Sequence, residues 1–142
     1  MSEYQILYHF ELGNINLAQL NKLNQRLVTF ELLLLQDIGL LPDLSQQTLT
    51  LQALQADKNY VLLAEAGLRA SQQPPCLSGA QWLQLHTALQ TTDALTALLR
   101  VCAEWPGEDR ASLQTQLRNV LHYHCGVNSL RTRQVMMELQ AL

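Results

Sequence analysis

Apolar residues recur along most of this chain at steps of three and four, the spacing of a helix with one buried face. The pattern is clearest where Leu17, Leu20, Leu23, Leu27, Phe30, Leu34 and Ile38 follow one another. Asn14 or Asn16 can cap this segment, Gly39 ends it, and Pro42 keeps it from resuming. From Leu32 to Leu35 the stretch is apolar on every side, which predicts a central, buried helix. One rim, carrying Lys22, Arg26 and Phe30, is expected at the surface, where the basic side chains lie along apolar neighbours with their charges in water. Ahead of it, Tyr4, Ile6, Leu7, Tyr8, Phe10 and Leu12 predict a shorter helix closed by Gly13.

Residues 43–76 break the rhythm. "QTLTLQALQ" fits a strand or a short helix equally well, "YVLLAEAGLRAS" reads as two extended runs around a turn at Glu65–Gly67, and "SQQPPC" reads as loop. Helical periodicity then returns. Ser78 with Gln81 three residues on forms a capping box, opening a helix through about Leu89 with Trp82, Leu85 and Leu89 inward. Thr91 or Thr92 caps the next helix, with Leu95, Leu98, Leu99 and Cys102 apolar, and Pro106–Gly107 stops it. The following helix, from about Glu108 to Cys125, turns Leu113, Leu117, Val120, Leu121 and His124 to one side, with Arg118 and His122 opposite. After Gly126 a final helix starts at Asn128 or Ser129, with Leu130, Val135, Met136 and Leu139 apolar. The expectation is a single all-α domain over residues 1–142, about six helices with a small hairpin or irregular insert in the middle.

Composition narrows the classes. The chain has 142 residues, 48% hydrophobic and only 15% charged, enough to bury one core and too apolar for disorder. "FELLLLQDIGLL" is too short for a bilayer span and carries Asp37, so no membrane association is expected. No basic segment precedes an apolar one at the N-terminus, so no secretory signal is expected. Cys76, Cys102 and Cys125 are odd in number and far apart, which predicts reduced thiols in the cytoplasm. In "HYHC", His122 and His124 lie roughly 200° apart around a helix, so they cannot share one ion and no metal is expected. Neither GxSxG nor GxGxxG occurs, and the expectation is a protein that is not an enzyme and needs no cofactor.

Charge is distributed unevenly. Residues 1–66 hold seven acids against three bases and residues 67–109 four against two, whereas residues 110–142 hold Arg110, Arg118, Arg131 and Arg133 against Glu138 alone. Arg131 and Arg133 fall in the first turn of the predicted last helix, where the positive end of the macrodipole disfavours cations by roughly 0.3–1 kcal/mol. An anion docking there would neutralise both arginines and use the free N–H groups of the helix start. Arg118 and Arg110, from the preceding helix, are candidates for the same anion site.

Two blocks carry a resemblance to a known family. "RLVTFELLLLQDIGLLPDL" is similar to a Phe-Glu-Leu pattern that runs through apolar residues to Leu-Gly and a Pro turn in the RecO family of bacterial recombination mediators. "LRNVLHYHCGVNSLRTRQVMMEL" resembles the closing segment of that family, a Tyr-x-x-Gly corner followed by Leu-[Lys/Arg]-[Ser/Thr]-Arg, here Tyr123, Gly126, Leu130, Arg131, Thr132 and Arg133. Between them "LLAEAGLRAS…CLSGAQWLQL" follows the family order of hairpin, loop and helix. The resemblance is to the C-terminal helical domain. It implies a non-enzymatic mediator that contacts the acidic, Phe-terminated tail of single-strand-binding protein, RecR and single-stranded DNA.

The departures from the family pattern are specific. The N-terminal OB-fold barrel of the family is expected to be absent, since no series of five alternating strands occurs, so the chain reads as a fragment or a stand-alone relative. Zinc held by four cysteines in some members has only Cys76 to match it, and the basic positions just before Phe-Glu are Val28 and Thr29 here, with Arg26 nearby. The alternative from another class is a helical protein–protein scaffold with no nucleic-acid contact, favoured by the acidic first two-thirds of the chain.

Overall fold

The structure is a computed structural model that describes residues 17–124 and Glu138. Helix α1 spans Leu17–Asp37, 21 residues without Gly or Pro. It ends in a Schellman motif. Gly39 takes φ 78°, its N–H donates to the Gln36 carbonyl at 3.1 Å, and Leu40 N–H donates to the Leu35 carbonyl at 2.9 Å. Gly39 supplies the left-handed turn that a side chain would disfavour.

Strands β1 (Asn59–Leu63), β2 (Gly67–Ala70) and β3 (Leu77–Ser78) form an antiparallel sheet in the order β2-β1-β3. The register pairs Tyr60 with Ala70 and Leu62 with Leu68 on one side of β1, and Tyr60 with Leu77 on the other. Alternation sends Tyr60, Leu62, Leu68 and Leu77 into the core. The chain ahead of β1 then locks onto β2: Thr48 N–H donates to the Leu68 carbonyl at 3.0 Å, and Leu68 N–H donates back to Thr48 Oγ1 at 2.9 Å. Gly67, at φ 70°, makes the β1–β2 turn directly over Thr48, where a Cβ would approach Thr48 Oγ1 to 2.1 Å.

Helices α2 (Gly79–Leu89), α3 (Ala94–Glu104) and α4 (Gly107–His124) complete the described fold. Ser78 is both the end of β3 and the N-cap of α2, with its capping box to Gln81 formed in both directions. Asp93, rather than Thr91 or Thr92, caps α3 through Thr96. Helix α1 packs on α3 and α4, α2 on α3, and α4 on β1 and β3. The common core holds Val28, Leu32 and Leu35 of α1, Trp82 and Leu85 of α2, Leu98 and Cys102 of α3, and Leu113, Leu117 and Val120 of α4.

The expected all-α class with about six helices is overturned. Among the described residues there are four helices and a three-stranded sheet, so the fold is a mixture of α and β. Helical periodicity dominates by residue count, but the sheet is no appendage, since its inward side chains belong to the same core as the helices. The third strand is two residues long, below what alternation can signal. "QTLTLQALQ" is neither strand nor helix but a run of turns with one bridge, Gln46 to Ala53, and Leu51 at φ 60°. The predicted first helix over residues 3–12 and the last helix, with Arg131 and Arg133 in its first turn, lie outside the described residues.

Candidate partner-binding face

Among the described residues, helix α1 buries one side and leaves the other exposed. Leu23, Phe30 and Ile38 are exposed, Phe30 by 60%, and Leu27 and Leu34 between them are half-buried. Their three- and four-residue steps put all five on one face. Lys22 and Arg26, both exposed, run along one edge of that face. Phe30, Lys22 and Arg26 are thus all exposed on α1, and neither base has an ion pair shorter than 4 Å among the described residues. Val28 and Thr29, which replace the basic pair of the family pattern, are buried on the other side of the helix.

The opposite edge of the face is set by Glu31. Its side chain is only 10% exposed, and Oε1 receives Arg118 Nε from α4 at 3.4 Å and Gln114 Nε2 at 3.4 Å. Oε2 is buried with no hydrogen-bond partner. Burial pushes the Glu31 carboxyl above its ordinary range; Arg118, Gln114 and His122 act in the opposite sense without reversing the shift. The guanidinium of Arg118 is not sealed in: its side chain is 45% exposed, and Nε is its bonded nitrogen. An apolar stripe is thus bracketed by Lys22 and Arg26 on one side and by Arg118 on the other.

Arg110 has a different task. It is buried, and its NH1 donates to the Cys102 carbonyl at 3.0 Å and the Trp105 carbonyl at 2.6 Å. The Cys102 carbonyl lies in the last turn of α3 and also accepts from the N–H of the C-cap residue Trp105 at 3.3 Å; this end of a helix favours a cation. Arg110 therefore fastens α4 to the end of α3 and presents nothing to a ligand. The two arginines predicted to act together point to different surroundings.

A second concavity, of about 660 Å³, lies between α2 and α3. Ala56, Ala80, Leu83, Ala88, Ala97 and Val101 line it, and Arg100 is its one charged residue. The histidines disperse: His86 Nδ1 sits 3.6 Å from Asp43 Oδ1, and a ring nitrogen of the exposed His124 lies 3.0 Å from the Ala64 carbonyl oxygen. No group of three His, Cys, Asp or Glu fit to hold a metal occurs among the described residues. No helix among them is long and apolar enough to cross a membrane.

Sequence reasoning named Glu31 only as part of a motif and did not find its pairing with Arg118. The two residues are 87 positions apart, and nothing local marks them as neighbours. Gln116, buried and bonded to β1, was also missed.

No family model matches the chain, and no solved structure is significantly similar to it. Curated relatives are close. A DNA repair protein RecO from Variovorax paradoxus is 52% identical over 114 residues, covering 80% of this chain and 44% of the relative. The RecO of Albidiferax ferrireducens is 48% identical over 84% of this chain and 47% of its own length, and that of Acidovorax ebreus 52% over 80% and 44%. The chain spans somewhat under half the length of these relatives. Over that stretch it is a close RecO homologue, and its extent fits the C-terminal part of such a protein.

Proposed function

We propose that this chain is a non-enzymatic adaptor domain in DNA repair and recombination, and that it works by holding a protein segment. The α1 face is the docking surface. Leu23, Phe30 and Ile38 offer apolar contact, while Lys22, Arg26 and Arg118 offer positive charge at its edges. That combination suits an acidic segment ending in a large apolar side chain, the character of the tail of single-strand-binding protein. RecR is a further partner in this reading. Arg131 and Arg133, outside the described residues, stay in this proposal as candidates for the same anion, whereas Arg110 takes no part because it is buried.

The observation that carries the reading is the bare apolar stripe with cations on both sides. Exposed aromatic and leucine side chains in one contiguous strip mark an interaction surface on an otherwise well-packed domain. The named relatives supply the repair context. A fluorescence-anisotropy titration with a labelled acidic peptide ending in Phe tests it. Binding is expected, and Phe30→Asp should abolish it; a Phe30→Asp protein that binds as before refutes this docking surface.

The second reading, a protein scaffold without nucleic-acid contact, is favoured by one finding. Of the two described arginines assigned to phosphate, one is buried and the other already faces a carboxylate. Direct phosphate binding would show affinity falling steeply with salt and indifferent to base sequence. A single-stranded oligonucleotide titrated at two salt concentrations separates the two readings.

A further inference from the structure

Arg118 and Arg110 lie two turns apart on α4, and their bonding is complementary. Arg110 spends a terminal nitrogen on two carbonyls and leaves Nε buried without a partner. Arg118 does the reverse: Nε faces Glu31 and Gln114 shares the same carboxylate oxygen, while the terminal nitrogens have no partner among the described residues. A guanidinium gripped by Nε has its two-pronged end fixed in direction. That end is the geometry that matches a carboxylate bidentately.

Glu31 is suited to such a grip. It is buried at the junction of α1 and α4 and cannot follow a mobile ligand outward. A surface carboxylate would compete for the fork; a buried one reaches only the inner nitrogen. It is also next in sequence to Phe30, so the fork emerges beside the largest exposed apolar side chain of α1.

We infer that Glu31 is a positioning residue: it holds Arg118 by Nε so that the terminal nitrogens face outward and receive a carboxylate of the docked protein segment. This rests on the α1 docking surface proposed above and adds to it a division of labour. Lys22 and Arg26 act as mobile point charges, and Arg118 acts as a fixed fork. The groups facing Glu31 are Arg118, Gln114 and His122, all from α4.

The inference has an unusual sign. Deleting a negative charge beside a cation should tighten anion binding if charge were all that mattered. If position matters more, freeing a rotamer-rich side chain should weaken it. The experiment titrates the unaltered chain and four variants with a labelled acidic peptide ending in Phe, and in parallel with a labelled oligothymidylate. Arg118→Ala is expected to weaken peptide binding by about tenfold, and Arg118→Lys to recover little of that. Glu31→Leu should weaken it by roughly three- to fivefold through lost order in Arg118. Glu31→Gln keeps an acceptor oxygen in place and should bind as well as the unaltered protein or better. Thermal melts of the Glu31 variants at or above the parent temperature show that the fold is intact. Tighter or unchanged binding by Glu31→Leu overturns the positioning role while leaving the docking surface standing. No binding by the unaltered chain, or no effect of Arg118→Ala, overturns both, as does the same variant pattern with oligothymidylate alone.

Discussion

The N–H of Leu62 on β1 donates to Oε1 of Gln116 on α4 at 2.8 Å, across a buried boundary and 54 positions of sequence. Gln116 in turn donates from Nε2 to Ser112 Oγ at 3.2 Å, so the amide is fixed from its own helix. Both strands beside β1 leave this N–H to the helix, and the sheet is thereby stitched to the helices. Gln116→Leu keeps the volume and strands the donor. It should cost about 1–3 kcal/mol, seen as a lower urea midpoint with an unchanged slope.

Gly79 begins α2 under the chain at Gln55, where an added Cβ would sit 2.0 Å from the Gln55 carbonyl oxygen. The obstacle is backbone and cannot swing aside. Gly79→Ala should destabilise by about 1–3 kcal/mol or more, whereas Gly39→Ala, with no atom near its Cβ, should cost only its left-handed backbone. Chemical denaturation of the two variants side by side checks the contrast.

Arg110 should prove structural. With the Trp105 carbonyl losing its donor and the Cys102 carbonyl left with the Trp105 N–H alone, Arg110→Met is expected to lower stability on the order of 3 kcal/mol. Its affinity for an acidic peptide, measured below the shifted melting point, should be that of the parent.

The buried Glu31 makes stability depend on pH in a defined direction. Its carboxyl sits above the ordinary 4.5 because burial disfavours the charged form. Between 4.5 and that raised value the folded chain keeps a proton that the unfolded chain releases, so stability falls as pH rises through the window. Above the window the penalty is fully present. Glu31→Gln should therefore raise the melting temperature at pH 7.5, and the gain over the parent should fade as pH drops below 4.5. Taking the difference between the two proteins removes the contrary slope from Asp43 and Asp93, whose carboxyls are held low by hydrogen bonds from Ser45 and Thr96.

Local chemistry was legible and distant pairing was not. Gly39 as a helix stop, the Ser78–Gln81 capping box and the Gly67 turn each depend on residues within a few positions, and each is where the sequence put it. The sheet was only half legible. Tyr60 and Leu62 alternate visibly, but β3 is two residues long and its pairing with β1 is decided by where α2 begins. Counting periodicity therefore demoted the sheet to an insert in an all-α fold. Charge misled in the same way. Arg110 and Arg118 look alike in sequence, yet one meets helix-end carbonyls and the other a buried carboxylate on α1. Only the packing of α1, α3 and α4 tells them apart.

The most direct test of the α1 docking surface is a map of backbone amide chemical shifts during titration with the acidic, Phe-terminated peptide. The account predicts that the largest changes fall on residues 22–37 of α1 and on residues 114–122 of α4, and that the side-chain Nε–H resonance of Arg118 moves with them. Changes confined to the α2–α3 groove around Arg100, or none at saturating peptide, would contradict it.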